Sequence, residues 1–202
     1  MQVNAVIRAA ALAAVLVLAG CSGAPKVSRI GTDTVTDVSG RWNDTDSRLV
    51  SEEMIADMLS RPWIEEHRLN YGGRPAVIVG RIRNVSHEHI NTETFVKDIE
   101  RALINSGRAD FVASRDERDV VREERADQDV HASEATRSAM GQERGADYML
   151  SGSINSIVDA AGRRAVVYYQ VDLELISMKD NRKVWIGQKK IKKDIEAGAI
   201  RP

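Results

Sequence analysis

The last third of the chain alternates between apolar and polar residues, and this pattern constrains the fold more than any other feature. Such a period of two places one face of a strand in a core and the other face in water. Residues 148–159, 164–178 and 182–193 follow it, with turns at 160–163 and 179–181. The sequence therefore predicts a three-strand antiparallel meander. The apolar positions of its middle strand are Ala165, Val167, Tyr169, Val171, Leu173 and Leu175.

The residues before the meander have helical periodicity broken by short apolar runs. Helices are predicted at about 47–60 and 92–106, where apolar residues recur at intervals of three and four. A central strand is predicted at 76–83 and a shorter strand at 109–113, since both are rich in β-branched or aromatic residues. The order predicts an α/β (α+β) fold, a small mixed sheet flanked by helices that ends in the meander.

Local signals predict where these helices begin and end. Thr45, Asp46 and Ser47 are predicted to provide the N-cap of the first helix, which ends at 61–63 because a proline follows it. A loop is predicted to lead from there into the first strand. The second helix is predicted to be capped by Asn91 or Thr92 and to end at Gly107, while the charged stretch 115–145 predicts two helices separated near 129–132.

An uncharged apolar run closes at the only cysteine of the chain. Residues 9–18 follow Arg8 and lead through small residues, the last of them Gly20, to Cys21. This pattern is typical of a bacterial lipoprotein signal, with cleavage between Gly20 and Cys21 and acylation, including palmitate, on Cys21. Because Ser22 follows instead of aspartate, we expect an outer-membrane lipoprotein that faces the periplasm. The predicted organisation is a signal peptide at 1–20, a lipidated flexible tether at 21–40 and a single globular domain at 41–202.

Charge and cysteine content exclude several classes of function. The formal net charge is -1, and since Arg8 is the only charged residue of the leader, its removal leaves -2. That balance argues against nucleic acid as a partner. A single cysteine allows no internal disulfide, and once acylated it leaves no thiol for catalysis.

Two polar motifs are candidate metal ligands, but both have simpler explanations. His87 and His89 would share one face of a strand, yet no third ligand is visible and the segment is typical of a loop before a helix. Asp44 and Asp46 resemble the opening of a calcium loop, but the glycine and carboxylate that such a loop requires are missing. No nucleophile lies beside a histidine. We therefore expect no enzyme activity, no cofactor and no metal.

Trp42 lies in a polar segment directly before the first helix. Either it is a hydrophobic staple that fixes the entering chain to the domain, or it is an exposed anchor for a partner. Arg41 and Asn43 flank it, and the three together are the candidate partner-binding residues.

The final strand is strongly basic. It is either an edge strand protected by lysines, or a basic face for an acidic partner, anionic lipid headgroups or the cell-wall polymer. Its cations are Arg182, Lys183, Lys189, Lys190, Lys192 and Lys193.

Three segments carry a resemblance to a known family. Residues 37–50 (DVSGRWNDTDSRLV), 74–80 (RPAVIVG) and 84–92 (NVSHEHINT) resemble the LpoB family of outer-membrane lipoproteins, which activate bifunctional class A penicillin-binding proteins. The resemblance implies a small mixed sheet with flanking helices, similar to the N-terminal domain of TolB. It also implies a noncatalytic protein that docks on a synthase, stimulates its two activities and so regulates peptidoglycan synthesis, the cell wall and cell shape.

The tether is where this chain departs from the best-known members, which have long proline-rich tethers. Only about 20 residues separate Cys21 from Trp42, and Pro25 is the sole proline among them. Extended, they span at most about 70 Å, and as a flexible coil about 25 Å. The alternative function from the sequence is a structural or assembly lipoprotein of a surface-polymer or secretion system, with no role in synthase activation.

Overall fold

The computed structural model describes residues 27–138 and 141–196. The predicted signal peptide, the acylation site at Cys21 and the C-terminal residues 197–202 lie outside them. The chain divides into two compact units, at 1–34 and 35–202, and the described part of the first contains a turn at Gly31–Thr34. No helix of the described residues has the length and apolar character needed to cross a membrane.

The second unit contains four helices and five strands in its described residues: α1 Asp44–Ser60, α2 Trp63–Tyr71, β1 Ala76–Asn84, α3 Thr92–Ser106, β2 Asp110–Phe111, α4 Arg115–His131, β3 Tyr148–Ala161, β4 Arg164–Ser177 and β5 Lys183–Glu196.

The strands form one mixed sheet in the order β2-β1-β3-β4-β5. Strand β1 is parallel to β2 and to β3, whereas β3, β4 and β5 are antiparallel neighbours. The predicted meander is confirmed, and β5 is the predicted edge strand. The tight turn between β3 and β4 requires a left-handed residue, which Gly162 supplies with φ of 58°.

The core lies on one face of this sheet. Along β4 the odd-numbered residues from 167 to 177 are buried, whereas the even-numbered residues between them are partly exposed. Helices α1 and α3 cover the buried face and contribute side chains such as Met58 and Phe95 to a single hydrophobic cluster. The predicted α/β class, with a mixed sheet flanked by helices, is therefore confirmed.

Helix α2 was missed by the sequence prediction, which placed a loop after the first helix. Proline ends α1 but also begins α2, because the first turn of a helix does not need the amide hydrogen that proline lacks. Trp63, Ile64 and His67 follow at helical spacing, and all three are buried. The pattern was present, but the proline was interpreted only as a terminator.

The prediction of two helices in 115–145 was wrong. A single helix, α4, begins at a capping box made by Ser114 and Glu117. It ends where Ala132 takes an extended conformation, with ψ of 156°. The described residues between α4 and β3 contain only turns and irregular segments. The expected break near 129–132 is thus the end of the helix.

Candidate functional site

Asn43 starts α1 and holds the segment before it. Its side-chain oxygen accepts a hydrogen bond from the Asp46 amide at 3.1 Å, and the Asp46 carboxylate accepts one from the Asn43 amide at 3.0 Å. The Asn43 side-chain nitrogen also donates to Asp37 Oδ1 at 2.7 Å. The predicted cap at 45–47 was therefore wrong in position, because the helix begins earlier and Thr45 and Ser47 are buried within it.

Trp42 packs against the domain at the staple position. Its ring meets the ring of Tyr169 edge-on, with centroids 5.5 Å apart, and the indole nitrogen donates to Ser47 Oγ at 2.7 Å. Ser47 is the fourth residue of the helix, the place at which a staple makes its contact. The structure thus favours the staple, with a hydrogen bond in place of an apolar contact, and leaves the tryptophan half-buried.

Glu88 receives hydrogen bonds from two distant parts of the chain. Its carboxylate accepts from the Trp42 amide at 3.0 Å and from the Tyr169 hydroxyl at 2.6 Å. That hydroxyl also lies 3.2 Å from the carbonyl oxygen of Gly40. Burial raises the pKa of Tyr169, and the hydrogen bond to Glu88 and the charge of Glu88 raise it further. The tyrosine therefore stays neutral and remains a donor.

Lys193 completes the arrangement from β5. Its ammonium donates to Asp46 at 2.6 Å, to Asp37 at 2.9 Å and to the carbonyl oxygen of Arg41 at 3.1 Å. Burial lowers the pKa of Lys193, but the hydrogen bonds to both carboxylates raise it more, and the net shift is upward. We call the set Asp37, Trp42, Asn43, Asp46, Glu88, Tyr169 and Lys193 the entry clamp.

The three candidate residues have different positions in this arrangement. Trp42 and Asn43 belong to the entry clamp and fix the backbone. The Arg41 side chain is exposed, and its guanidinium has no partner in residues 27–138 and 141–196. Arg41 is thus a cation without a partner among the described residues, and its backbone is held by Lys193. Asp37 and Gly40, which the sequence assigned to the tether, contact the sheet.

The other sequence candidates take structural positions. Both the backbone amide and Nδ1 of His87 lie 3.0 Å from Ser156 Oγ, while His89 is exposed. No group of three metal-ligating side chains occurs in the part of the chain that the structure describes.

The basic residues of β5 fall into two groups. Lys183, Lys189 and Lys193 form ion pairs with carboxylates of the domain. Lys190 and Lys192 are exposed and form no ion pair with any described residue. The carboxylates of α4 do not neutralise them, since the ion pairs of that helix involve other cations.

Sequence reasoning missed the roles of Glu88 and Tyr169. The alternation in β4 did place Tyr169 on the buried face, and a buried tyrosine hydroxyl needs a hydrogen-bond partner. That requirement was the available signal. It does not identify Glu88, because 81 residues separate the two.

The fold and the clamp define a class of protein: a two-layer α/β domain whose entering chain is fastened to the antiparallel strands β4 and β5. Residues 46–191 match the family described as "Peptidoglycan-synthase activator LpoB", and the chain belongs to this family. No curated protein matches the chain.

Several solved structures are similar to it. The LpoB C-terminal domain from Salmonella enterica is 16% identical with a TM-score of 0.40, and the match covers 73% of this chain and 99% of that one. The Escherichia coli domain is 15% identical with a TM-score of 0.42 and the same coverage. Lipoprotein GNA1162 from Neisseria meningitidis is 16% identical with a TM-score of 0.36, covering 59% and 83%.

Proposed function

We propose that this protein binds and activates a bifunctional class A penicillin-binding protein, and so regulates peptidoglycan synthesis without catalysing a step itself. Membership of a family of peptidoglycan-synthase activators carries the proposal. Catalysis belongs to the partner, and the contribution of this chain is a binding surface.

We place part of that surface at Arg41, with Trp42 and Asn43 as its support. Arginine and tryptophan are the residue types most enriched at binding hot spots. The Arg41 backbone is held by Lys193, so docking would cost little conformational entropy in the main chain. An acidic or carbonyl-rich patch on the synthase is the complementary surface.

Location and anchoring form part of the same proposal. Residues 1–20 are a signal peptide, Cys21 carries the lipid, and the domain faces the periplasm from the outer membrane. Because Thr36 and Asp37 both accept hydrogen bonds from Asn43, and Asp37 also pairs with Lys193, the segment between Cys21 and the domain is no longer than residues 22–35. That segment spans at most about 55 Å, which is shorter than the tether predicted from sequence.

The activation test uses the full chain in detergent with the class A synthase of the same organism. We expect the rate of lipid II polymerisation to rise when the protein is added. Arg41→Glu should abolish the stimulation and weaken binding, because it reverses the charge offered to the synthase. The fold should be unaffected, since the guanidinium makes no contact with the rest of the described domain. Arg115→Glu, at an exposed arginine on α4, is the matched control. If the protein neither binds nor stimulates the synthase, the proposal is wrong.

Anchoring is tested separately in cells. Labelled palmitate should be incorporated into the wild-type protein and not into Cys21→Ser. Ser22→Asp should shift the protein from the outer to the inner membrane fraction. Unchanged fractionation of that variant would contradict the proposed sorting signal.

A further inference from the structure

A basic site lies at the other end of the sheet from the entry clamp. Arg74 precedes β1 and Arg108 precedes β2, whereas Glu88 of the clamp follows the carboxyl end of β1. Strand β1 has nine residues, so the two ends are about 30 Å apart. The arginine-rich end is therefore a different part of the surface from the one around Arg41.

Three arginines from different elements converge on one depression. Arg68 from α2, Arg74 from the loop before β1 and Arg108 from the turn after α3 line a concavity of about 520 Å³. Its floor includes Ile64 of the core, and Glu65 is its only acidic lining residue. We call this site the arginine groove.

The side chains of the groove are positioned by the fold. The Arg108 guanidinium donates to the carbonyl oxygen of Leu59 in the last turn of α1, and it forms no ion pair with any described residue. Arg74 is held by Asp110 at 2.9 Å and by the carbonyl oxygen of Gly107 at 3.4 Å. Asp110 in turn is shared with Arg144. These contacts use only part of the hydrogen-bonding capacity of the two guanidiniums.

The neutralisation of the groove is incomplete. Glu65 and Arg68 form an ion pair at 3.4 Å. Both side chains are exposed, so the pair contributes little to stability. Arg74 is already paired with Asp110, so Arg68 and Arg108 face Glu65 alone, and the lining keeps an excess of one positive charge. A phosphate ester or a pyrophosphate carries about two negative charges, and its oxygens match the planar fork of a guanidinium.

We propose that the arginine groove binds a phosphate-type oxyanion. A phosphate group offers three acceptor oxygens to guanidiniums that come from different elements, whereas a carboxylate offers only two. Arg108 and Arg68 donate to the oxyanion, and Arg74 supports the wall. The anion comes either from a soluble phosphate ester or from a lipid headgroup, and the two sources share the same recognition chemistry.

The test is calorimetric titration of the full chain in nonionic detergent with pyrophosphate. We expect saturable binding that weakens with added salt. Arg108→Gln and Arg68→Gln should each raise the dissociation constant about tenfold or more, since each removes a charge-assisted hydrogen bond. Arg68→Gln guards against misfolding, because the Arg68 side chain is exposed and its only hydrogen-bond partner among the described residues is Glu65. Arg83→Gln, an exposed arginine of β1, should bind as the wild type does.

Further titrations identify the source and the class of ligand. Dihexanoyl phosphatidylglycerol that competes with pyrophosphate, where dihexanoyl phosphatidylcholine does not, assigns the groove to anionic lipid headgroups. Competition by phenyl phosphate alone assigns it to soluble phosphate esters. Absence of pyrophosphate binding, or binding unchanged in both variants, overturns the proposal. So does a glutamate-rich peptide that binds at the groove without being displaced by pyrophosphate.

Discussion

The ammonium of Lys193 in β5 bonds to the carboxylate of Asp46 in the first turn of α1, at a distance of 2.6 Å. Only 11% of the lysine side chain and 7% of the aspartate side chain are exposed. The two residues are 147 positions apart, so the pair joins the start of the domain to its last strand. The same ammonium reaches Asp37, and one cation therefore fixes both the helix start and the entering chain.

Lys193→Met is expected to lower the free energy of unfolding by about 3 kcal/mol, because it leaves the Asp46 carboxylate buried without its counter-charge. Urea denaturation followed by tryptophan fluorescence measures the change. Lys192→Met is the control, since Lys192 is exposed on the opposite face of β5 and should change stability by less than about 0.5 kcal/mol. Equal effects of the two substitutions would contradict the structural role of the ion pair.

The sheet and α3 were predictable because their signals are local. Alternation along β4 and the apolar stripe of α3 each depend on one stretch of sequence, and Asn91 and Gly107 do cap α3. Helix α2 was missed because Pro62 was taken only as a terminator.

The entry clamp was only partly predictable, because its contacts are long-range. Trp42 and Asn43 stand out by their position before a helix. Their partners do not, since Glu88 lies in a loop and Lys193 is one of several lysines in its strand. Only the packing of α1 against β5 distinguishes Lys193 from its exposed neighbours.

Asn43→Ala is expected to destabilise the domain more than Asn91→Ala does. Each substitution removes an N-cap, which costs about 1 kcal/mol. Asn43 additionally holds Asp37 at 2.7 Å, whereas the side chain of Asn91 makes only its capping bond among the described residues. Thermal unfolding of the two variants side by side measures the difference. Equal losses would show that the bond to Asp37 contributes nothing measurable.

Stability should fall as the pH rises above about 10. The pKa of Tyr169 is raised by burial and by Glu88, so the hydroxyl stays protonated in the folded state while the unfolded chain ionises. The raised pKa of Lys193 changes stability in the same direction. The contribution of Lys193 to stability is complete below its ordinary pKa and is lost as the pH rises through its pKa in the folded state.

Tyr169→Phe separates these two contributions. The variant should be less stable than the wild type at about pH 8, since a buried acceptor loses its donor at a cost of about 1–3 kcal/mol. It should then lose less stability between about pH 8 and about pH 11, because the variant lacks the tyrosine that keeps its proton in the folded state and loses it in the unfolded state. Urea midpoints at both pH values measure this. An identical pH dependence in the two proteins would contradict the raised pKa of Tyr169.

Gly152→Ala should destabilise the central pairing of β3 with β4. A Cβ atom at this position would lie 2.1 Å from the backbone oxygen of Asp172 and 2.7 Å from a methyl carbon of Leu173, so the strands must separate to admit it. Overpacking of this kind costs about 1–3 kcal/mol. Gly145→Ala is the matched control, because a Cβ there meets nothing within 4 Å and its φ is not left-handed. Chemical denaturation should show a large loss for the first variant and little change for the second, and a neutral Gly152→Ala would contradict the close approach of the two strands.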